Sequence, residues 1–420
     1  MFFKKFPFGL DISDYSIEIL ELERKFGISY LRTYGRVKLE MGIVEDGKIL
    51  NKEKLKEKIK EVLEKTLPKK IETPQVIFSL PESKTFFHIF KFPANLNGKE
   101  LTRAVENEAL KTFPLDPGSY YFDFQIVSKT NDFQEVLYVG TLKEIVDEYL
   151  EVLKSKGLKP LFLDIESGSL ARTFKHEMIK DGGVLIVDMG ARTTNLTIVD
   201  EEFIRLSAII SIAGNHFTQA IAEKLNVSLE KAEELKKSYG IDSEKMEGKI
   251  MFILQKLLQE IFDRTRKFIS FYEEKSGRKI KKILLCGGSG LMPLLSSDFA
   301  SNLGIEVKLA DPLFGIKNKE LLTKKKSRVT SGAISSEGVH PLLFANVIGL
   351  AKRGLEKNPE TAGINLIPEE KRLKPAFIGR KLNKSKIFRF LIIFLTITAF
   401  AFLGWIIYAY ILRGIAKYPQ

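Results

Sequence analysis

The sequence predicts an α/β protein built from two like halves that face a shared cleft. Residues 8–22 and residues 184–200 each show a short apolar run, an aspartate, a small polar turn and a second apolar run, which is the pattern of two strands joined by a turn. The two aspartates, Asp11 and Asp188, stand about 180 residues apart. A third stretch, 282–290, is a strand followed at once by Gly-Gly-Ser-Gly and the start of a helix. We therefore expect three ligand-binding turns in one chain.

Hydrophobic periodicity predicts the elements between these turns. Alternation and short apolar runs indicate strands, and a 3.6-residue period with charged outer faces indicates helices. The predicted strands are 30–39, 76–92 (a pair around Pro81-Glu82), 120–127, 136–142, 158–165 and 203–212, and the predicted helices are 54–67, 101–113, 145–156, 217–225, 229–239, 249–274 and 342–353. Residues 74–165 form a compact mixed α/β unit inserted between the two hairpins. Residues 318–338, which are polar and lysine-rich, predict a loop.

The composition is that of a globular protein from a reducing compartment. The chain has 420 residues, 44% hydrophobic and 28% charged, which fits two to three domains with ample core. The one cysteine, Cys286, excludes an intrachain disulfide, and its apolar surroundings predict a buried, unreactive thiol. The four histidines show no metal-ligand spacing.

The carboxyl-terminal stretch 390–412 contains 23 residues without a charge. As a helix it would be roughly 34 Å long, which predicts a transmembrane helix. Eight basic residues lie between 371 and 389 and two lie beyond 412. The positive-inside rule therefore predicts a single-pass inner-membrane protein with the bulk of the chain cytoplasmic and residues 413–420 on the other side. This basic cluster supplies much of the net charge of +13, so we expect no nucleic-acid partner.

The three turns suggest a site for a nucleotide and a hydrated cation. Backbone N–H groups and hydroxyls of such turns can accept phosphate oxygens, and aspartates can hold Mg²⁺ through water. A strand followed by Gly-Gly-x-Gly lets the backbone approach a flat base closely. The candidate residues are Asp11, Ser13 and Ser16 in the first turn, Asp188, Gly190, Thr193 and Thr194 in the second, Gly287, Gly288 and Gly290 in the third, and Glu233 and Lys236 on the helix 229–239; Asp11 and Asp188 are the candidate metal ligands. Any one turn is equally well explained as an ordinary hairpin with a polar tip.

Seven motifs spread over residues 1–356 carry a family resemblance. They are GLDISDYSIEILEL at 9–22, AVENEALKTFPLD at 104–116, VDMGARTTNLTIV at 187–199, SIAGNHFTQAIAEKL at 211–225, KAEELKKSYG at 231–240, CGGSGLMPLL at 286–295 and NVIGLAKRGL at 346–355. Together they resemble the actin-like ATPase superfamily and, within it, the PilM family of type IV pilus assembly.

The resemblance implies an actin-like ATPase fold with two RNase H-like halves around a nucleotide cleft. Residues 74–165 would then be a 1C-type inserted subdomain and residues 181–330 the second half. ATP and Mg²⁺ are the implied cofactors, held by the turn residues named above. Ser13 stands where the first turn usually has glycine, which predicts at most a weak ATPase, and no catalytic residue is assigned.

A linker at 357–389 contains the segment Ile-Asn-Leu-Ile-Pro at 364–368. An extended apolar pentapeptide that ends in proline is typical of a docking strand, although a chance apolar patch is the alternative. The segment resembles the amino-terminal tail of PilN, the membrane partner whose Ile-Asn-Leu-x-Pro segment docks in a PilM groove. We therefore expect docking onto the body of the same chain or of a neighbouring copy, through Ile364, Asn365, Leu366, Ile367 and Pro368.

These features together predict a membrane-anchored, ATP-binding scaffold of type IV pilus assembly or of a related secretion or DNA-uptake machine. The expected partners are PilN- and PilO-like inner-membrane components, pilus ATPases and the inner membrane, and a homo-oligomer is compatible with the fold. One alternative is an FtsA-like anchor of a division complex, which would need an amphipathic helix lying on the membrane. The other is a small-molecule kinase of the same fold, for which no general base is recognisable.

Overall fold

Two sheets and the helices that cover them account for most of the chain. The computed structural model describes residues 5–113, 116, 118–323, 340–373 and 384–415. Its internal contacts divide the chain into two units, Met1–Lys374 and Pro375–Gln420. The site and the docking segment both belong to the first unit.

The amino-terminal part forms strands from β-branched and aromatic runs and helices from charged amphipathic stretches. Its elements are β1 (Phe8–Ile12), β2 (Ser16–Lys25), β3 (Ile28–Lys38), β4 (Val44–Glu45), β5 (Lys48–Ile49), α1 (Lys52–Glu64), β6 (Gln75–Leu80), β7 (Thr85–Pro93), α2 (Gly98–Thr112), β8 (Tyr120–Lys129), β9 (Phe133–Leu142), α3 (Lys143–Ser155), β10 (Lys159–Ile165) and α4 (Glu166–Thr173). Asn51 begins α1 by accepting a hydrogen bond from the N–H of Lys54 at 3.0 Å, as an N-cap residue does.

The second half follows and the chain then returns to the first. The elements are β11 (Gly183–Met189), β12 (Thr194–Asp200), β13 (Phe203–Ile210), α5 (Gly214–Leu225), α6 (Leu229–Tyr239), α7 (Lys249–Ser276), β14 (Ile280–Cys286), α8 (Leu295–Leu303), β15 (Glu306–Leu309), β16 (Ile316–Lys317), α9 (Glu320–Thr323) and α10 (Ala345–Leu355). Of the loop predicted at 318–338, residues 320–323 are α9 and residues 324–338 lie outside the described residues.

The two main sheets repeat one design. The first has the strand order β10-β6-β1-β2-β3-β16 and the second the order β13-β12-β11-β14-β15. In each sheet an aspartate hairpin, β1–β2 or β11–β12, is antiparallel, and its first strand also pairs in parallel with a strand that follows a crossover connection. The two like halves expected from the sequence are thus both present.

Helices α4 and α10 lie between the two sheets. Leu170 of α4 and Phe174, which directly follows that helix, pack with Val184 and Ala345 in the cluster that joins α4, α10 and the second sheet. The two helices touch through their backbones, since a Cβ added to Gly349 would lie 2.0 Å from the carbonyl oxygen of Ser169. Such an approach admits no side chain. The α4–α10 pair therefore fixes the two halves against each other.

The inserted unit is a three-stranded sheet, β7-β9-β8, covered on one face by α2. It spans Thr85–Leu142. The predicted range 74–165 also includes β6 and β10, and these two strands belong to the six-stranded sheet of the first half.

The second unit contains α11 (Lys384–Ile415). No helix in the described part of the chain combines the length and apolar character that a membrane crossing needs, so the predicted transmembrane helix at 390–412 is wrong. That prediction equated the absence of charge with an apolar surface. The run also contains Thr396 and Thr398, whose hydroxyls donate to carbonyl groups of the preceding helical turn.

The predicted single-pass location in the inner membrane depended on that helix and is corrected with it. The same applies to the non-cytoplasmic assignment of residues 413–420, of which 416–420 lie outside the described residues. The basic segment at 374–383 also lies outside them.

Candidate functional site

The turns of the two aspartate hairpins differ in how their backbone is engaged. In the first turn Ser13 Oγ accepts the N–H groups of Ser16 at 3.0 Å and Tyr15 at 3.3 Å. The Ser13 side chain therefore takes up two N–H donors of its own turn. Both turns are also closed by a backbone hydrogen bond: the N–H of Ser13 donates to the carbonyl oxygen of Ser16 at 3.0 Å, and the N–H of Gly190 donates to that of Thr193 at 3.0 Å.

The second turn is tied to its neighbours through Gly190. The carbonyl oxygen of Gly190 accepts the N–H of Gly214, at the start of α5, at 3.2 Å and the hydroxyl of Ser289 at 2.8 Å. Thr194 is fully buried, and its hydroxyl donates to the carbonyl oxygen of Ile212 at 2.7 Å. Thr194 thus positions the hairpin, while Thr193 is partly exposed in the turn.

The glycine loop after β14 lies directly against the second turn. Gly287 has φ of +79°, and an added Cβ would lie 2.4 Å from Oδ1 of Asp188 and 2.5 Å from the carbonyl oxygen of Met189. Both the left-handed backbone and the missing space require glycine here. Gly288 is exposed beside Leu343, and Gly290 is buried beside Leu285. The structure therefore brings the second and third predicted turns together.

Three carboxyl groups from both halves influence one another at the turns. Burial, opposed by a hydrogen bond with the Cys286 thiol, raises the pKa of Asp188 to about 6. Burial and the charge of Glu18 raise the pKa of Asp11 to about 7, and Asp188 adds to this shift. Burial and the charges of Asp11 and Asp188 raise the pKa of Glu166 well above its usual value. A cation bound among these groups would relieve their repulsion.

Two asparagines complete this polar surface. Asn195 Nδ2 donates to Glu166 Oε2 at 3.3 Å, and Asn346 Nδ2 donates to Ser79 Oγ at 2.9 Å. Both Oδ1 atoms are buried and have no hydrogen-bond partner in the described part of the chain. Oxygen acceptors of this kind suit the water shell of a hydrated divalent cation. Within the described residues no group of three or more His, Cys, Asp or Glu side chains is arranged to hold a metal directly.

Glu233 and Lys236 of α6 are engaged with α5. Lys236 Nζ donates to the carbonyl oxygen of Gly214 at 3.0 Å and to Thr218 Oγ1 at 2.9 Å, and it pairs with Glu233 at 2.7 Å. Burial alone would raise the pKa of Glu233, but hydrogen bonds from Lys236 and Thr218 lower it to about 2. These contacts position the start of α5 against the second turn. A direct nucleotide contact by either residue stays a prediction.

The segment Ile364–Pro368 lies along the free edge of β10. The N–H of Leu366 donates to the carbonyl oxygen of Leu163 at 2.9 Å, and Asn365 Oδ1 accepts the N–H of Leu163 at 3.0 Å. The N–H of Asn365 donates to Asp123 of the inserted unit at 2.7 Å. The three aliphatic side chains of the segment are buried in the core of the first half, and Pro368 is partly buried.

A buried arginine holds the approach to this segment. The side chain of Arg353, on α10, is 0% exposed and lies 2.8 Å from the carboxylate of Asp164. It donates to the carbonyl oxygens of Gly363 and Ile364. Arg172 pairs with the same carboxylate at 3.0 Å. Asp164 lies on β10, so one buried ion cluster links the strand, the helix and the segment.

Several residues of the site were not predicted from the sequence. Asn195 was within reach, because the register of the second hairpin places it opposite Asp188. Asn346 and Arg353 both lie within the motif at 346–355, which assigns no role to either. Their positions follow from the burial of α10 between the two sheets.

Two sheets that each begin with an aspartate hairpin, with a helix pair between them, define the actin-like ATPase fold. The solved PilM-PilN type IV pilus biogenesis complex has this fold: its TM-score is 0.70 at 22% identity, over 84% of this chain and 99% of that one. The ethanolamine utilization protein EutJ from Carboxydothermus hydrogenoformans gives a TM-score of 0.50 at 16% identity, over 82% of this chain and 89% of its own.

The sequence family is more specific than the fold. Residues 9–335 match the model of the family described as type IV pilus assembly protein PilM. The chain therefore belongs to the PilM family, as the motifs led us to expect. A local match to the cell division protein FtsA of Pseudomonas aeruginosa is 41% identical over 69 residues. It spans 16% of this chain and 16% of that relative's length.

Proposed function

We propose that this chain is an ATP-binding scaffold of type IV pilus assembly. The observation that carries the proposal is the meeting of two aspartate hairpins, one from each half, at a surface of unneutralised carboxyl groups and unpartnered amide oxygens. A magnesium nucleotide bound between the turns would bring a cation close to these carboxyl groups and relieve their repulsion. Asp11 and Asp188 would hold the hydrated Mg²⁺, which offsets the negative charge of the phosphates.

The glycine loop and the second turn supply the surface for the rest of the nucleotide. Gly287 brings backbone into contact with Asp188, so a base and its phosphates would be bound by adjacent loops of one half. The first turn offers fewer N–H donors to a phosphate, because Ser13 already accepts two of them. We therefore propose binding that serves assembly, with hydrolysis slow at most.

The partner side of the proposal rests on the segment Ile364–Pro368. The solved relative is a complex with PilN, and this segment resembles the docking segment of PilN. Here the chain's own segment extends the edge of β10, as an added strand does in peptide recognition. We propose that it occupies the place of a PilN-like segment, so that a partner must displace it or bind elsewhere. PilO-like components and pilus ATPases remain expected partners.

Helix α10 and strand β10 both run between the cleft and the segment. On α10, the side chain of Asn346 lies next to Asp11, and Arg353 donates a hydrogen bond to the backbone of the segment. On β10, Leu163 pairs with the segment, and Glu166 follows three residues later in the cleft. If nucleotide binds one arrangement of these elements better than another, it changes the free energy of docking at the segment. Docking then changes the free energy of nucleotide binding by the same amount. This connection supports a scaffold whose docking responds to nucleotide.

Replacing Asp188 with asparagine tests the nucleotide site. Calorimetric titration of the full chain with ATP and Mg²⁺ should show binding, and Asp188→Asn should weaken it by about tenfold or more, since a hydrogen bond to a charged group contributes about 1.5–3 kcal/mol. Asp263→Asn, at a half-exposed position on α7, is the matched control and should bind like the natural chain. No heat of binding from the natural chain would refute the proposed nucleotide site.

Replacing Asn365 with alanine tests the docked segment. The change leaves the N–H groups of Leu163 and Ile367 without their acceptor, and each unpaired buried group costs about 1–3 kcal/mol. Residues 362–370 should lose hydrogen-exchange protection. An added Ile-Asn-Leu-Ile-Pro peptide should bind the variant more tightly, because the competing segment has a high effective concentration.

The exposed Asn358, seven residues earlier, provides the control Asn358→Ala. This variant should keep both the protection and the peptide affinity of the natural chain. Equal behaviour of Asn365→Ala would mean that the segment does not block the β10 edge.

A further inference from the structure

The tip of the β11–β12 hairpin carries an arginine to which the motif gives no role. Arg192 Nη1 lies 2.9 Å from Asp14 Oδ2, in the turn of the first hairpin, and 3.7 Å from Glu45 Oε1. Asp14 belongs to the first half and Arg192 to the second. The pair therefore spans the space between the two turns in which the proposed phosphates would lie.

The two partners are held very differently. Asp14 Oδ2 accepts the N–H of Asp46 at 2.8 Å, and Oδ1 accepts the N–H of Gly47 at 3.1 Å. The β4–β5 turn is fixed in its own right by the ion pair of Asp46 with Lys84. The Arg192 side chain is 40% exposed against 19% for Asp14. The hydrogen bonds from the β4–β5 turn thus hold Asp14 in place. Arg192, the more exposed partner, can leave it at modest cost, since ion pairs that are open to solvent contribute little.

The distribution of charged side chains around the turns favours a transfer of Arg192 from Asp14 to a bound phosphate. Within residues 12–15 and 190–193, all of which the structure describes, Arg192 is the one basic side chain. Lys236, the nearest buried cation on α6, is already engaged with Gly214, Thr218 and Glu233. A polyphosphate entering between these two turns would therefore meet the guanidinium of Arg192. A guanidinium matches phosphate oxygens in a planar, bidentate geometry that a carboxylate shares.

We propose that Arg192 is a phosphate-binding residue that Asp14 and Glu45 hold between the turns until a nucleotide arrives. The inference rests on the proposed nucleotide site and names the group that recognises the phosphate chain of a nucleoside triphosphate. Phosphate oxygens and the Asp14 carboxylate compete for one guanidinium. Binding of phosphate therefore replaces the Arg192–Asp14 contact between the halves with a contact between Arg192 and the phosphate.

This competition gives two substitutions opposite effects. In titrations of the full chain with ATP and Mg²⁺, Arg192→Gln should weaken binding by about tenfold, as expected for losing one charge-assisted hydrogen bond. Asp14→Asn should tighten binding by about two- to fivefold, because it removes a competing carboxylate from an ion pair that is partly open to solvent. Glu45→Gln should act in the same direction as Asp14→Asn with a smaller effect. Adenosine, which lacks phosphate, should bind all three variants and the natural chain equally.

The controls separate this inference from a purely structural contact. Arg264→Gln, which removes an exposed arginine paired with Glu260 at 2.8 Å on α7, should leave ATP affinity unchanged. If Arg192→Gln and Asp14→Asn both weaken ATP binding, the pair only holds the halves together and the inference is overturned. Unchanged affinity in Arg192→Gln also overturns it, while binding by the natural chain would still support the nucleotide site.

Asp14 also caps the β4–β5 turn, so a folding defect in Asp14→Asn has to be distinguished from a binding effect. Glu45→Gln leaves that cap in place and carries the test alone if Asp14→Asn unfolds. An affinity of Glu45→Gln below that of the natural chain would then contradict the competition. If the natural chain binds neither ATP nor adenosine, the proposed function itself fails, and the inference with it.

Discussion

Replacing Arg353 with methionine should lower the free energy of unfolding by about 3 kcal/mol, because breaking a buried ion pair leaves a charge without compensation. The guanidinium is 0% exposed, and Asp164, its partner, is 1% exposed. Arg172 remains 3.0 Å from that carboxylate, which places the expected loss at the lower end of the usual range. The carbonyl oxygens of Gly363 and Ile364 also lose their donor, so the docked segment should loosen. Urea unfolding followed by circular dichroism measures the first effect, and hydrogen exchange over 359–370 measures the second.

Two further variants decide how the loss arises. Arg372→Met removes an exposed arginine that donates to Ile367 and Asn365, and it should loosen the segment with little loss of global stability. The double variant Asp164→Asn with Arg353→Met should recover part of the stability, because no buried carboxylate is left unpaired. A double variant less stable than Arg353→Met would contradict this account.

The same ion cluster predicts a dependence on pH. Burial alone would raise the pKa of Asp164, but Arg172 and Arg353 together hold it below its ordinary value of 3.8. A lowered pKa in the folded state contributes stability that is present above the ordinary value and is lost as the pH falls through and below it. Arg353→Met should therefore differ most from the natural chain near neutral pH, with the gap narrowing in acid. A gap that widens in acid would contradict the assignment.

Replacing Gly287 with alanine should both destabilise the protein and weaken nucleotide binding. The left-handed backbone costs a residue with a Cβ about 1–2 kcal/mol. Crowding against Asp188 and Met189, at 2.4 Å and 2.5 Å, should add about 1–3 kcal/mol, as overpacking does. Relief of this crowding displaces Asp188, so affinity for ATP with Mg²⁺ should fall with stability.

Gly277 provides a matched control at the end of α7. Its φ is +68°, close to that of Gly287, and an added Cβ meets nothing within 4 Å. Gly277→Ala should therefore show the backbone cost alone and keep the nucleotide affinity of the natural chain. Equal destabilisation by the two substitutions would show that the crowding at Gly287 relaxes freely. An unchanged ATP affinity in Gly287→Ala would remove the glycine loop from the proposed site.

Local signals along the chain were enough to find the two hairpins and the glycine loop. Strand, aspartate and small polar turn form a short pattern, and its repetition at Asp11 and Asp188 indicated two halves before any contact was known. The strand pairings then bring Asp188 beside Cys286 and the glycine loop. Hairpin register also places Glu18 opposite Asp11 and Asn195 opposite Asp188, so part of the surrounding polar shell could be predicted as well.

Other residues depend on contacts between distant parts of the chain. The contact between Arg192 and Asp14 joins positions far apart in sequence, and no local pattern at either residue predicts it. Thr194 and Lys236 illustrate the reverse case. Their residue types suit a nucleotide, but the fold engages them with Ile212 and with Gly214. The predicted membrane helix failed because uncharged composition does not by itself establish a spanning helix.

The sequence by itself determined the α/β class, the two aspartate turns, the glycine loop and the PilM family, because residues that are neighbours along the chain define each of them. Only the tertiary structure decided that Arg353 is buried against β10 and the docked segment, that Ile364–Pro368 extends β10 of its own chain, and that Arg192 reaches the opposite half. Each of these facts depends on contacts between parts of the chain that are distant in sequence. Burial and pairing of a charge depend on which distant surfaces meet, and that information is not local.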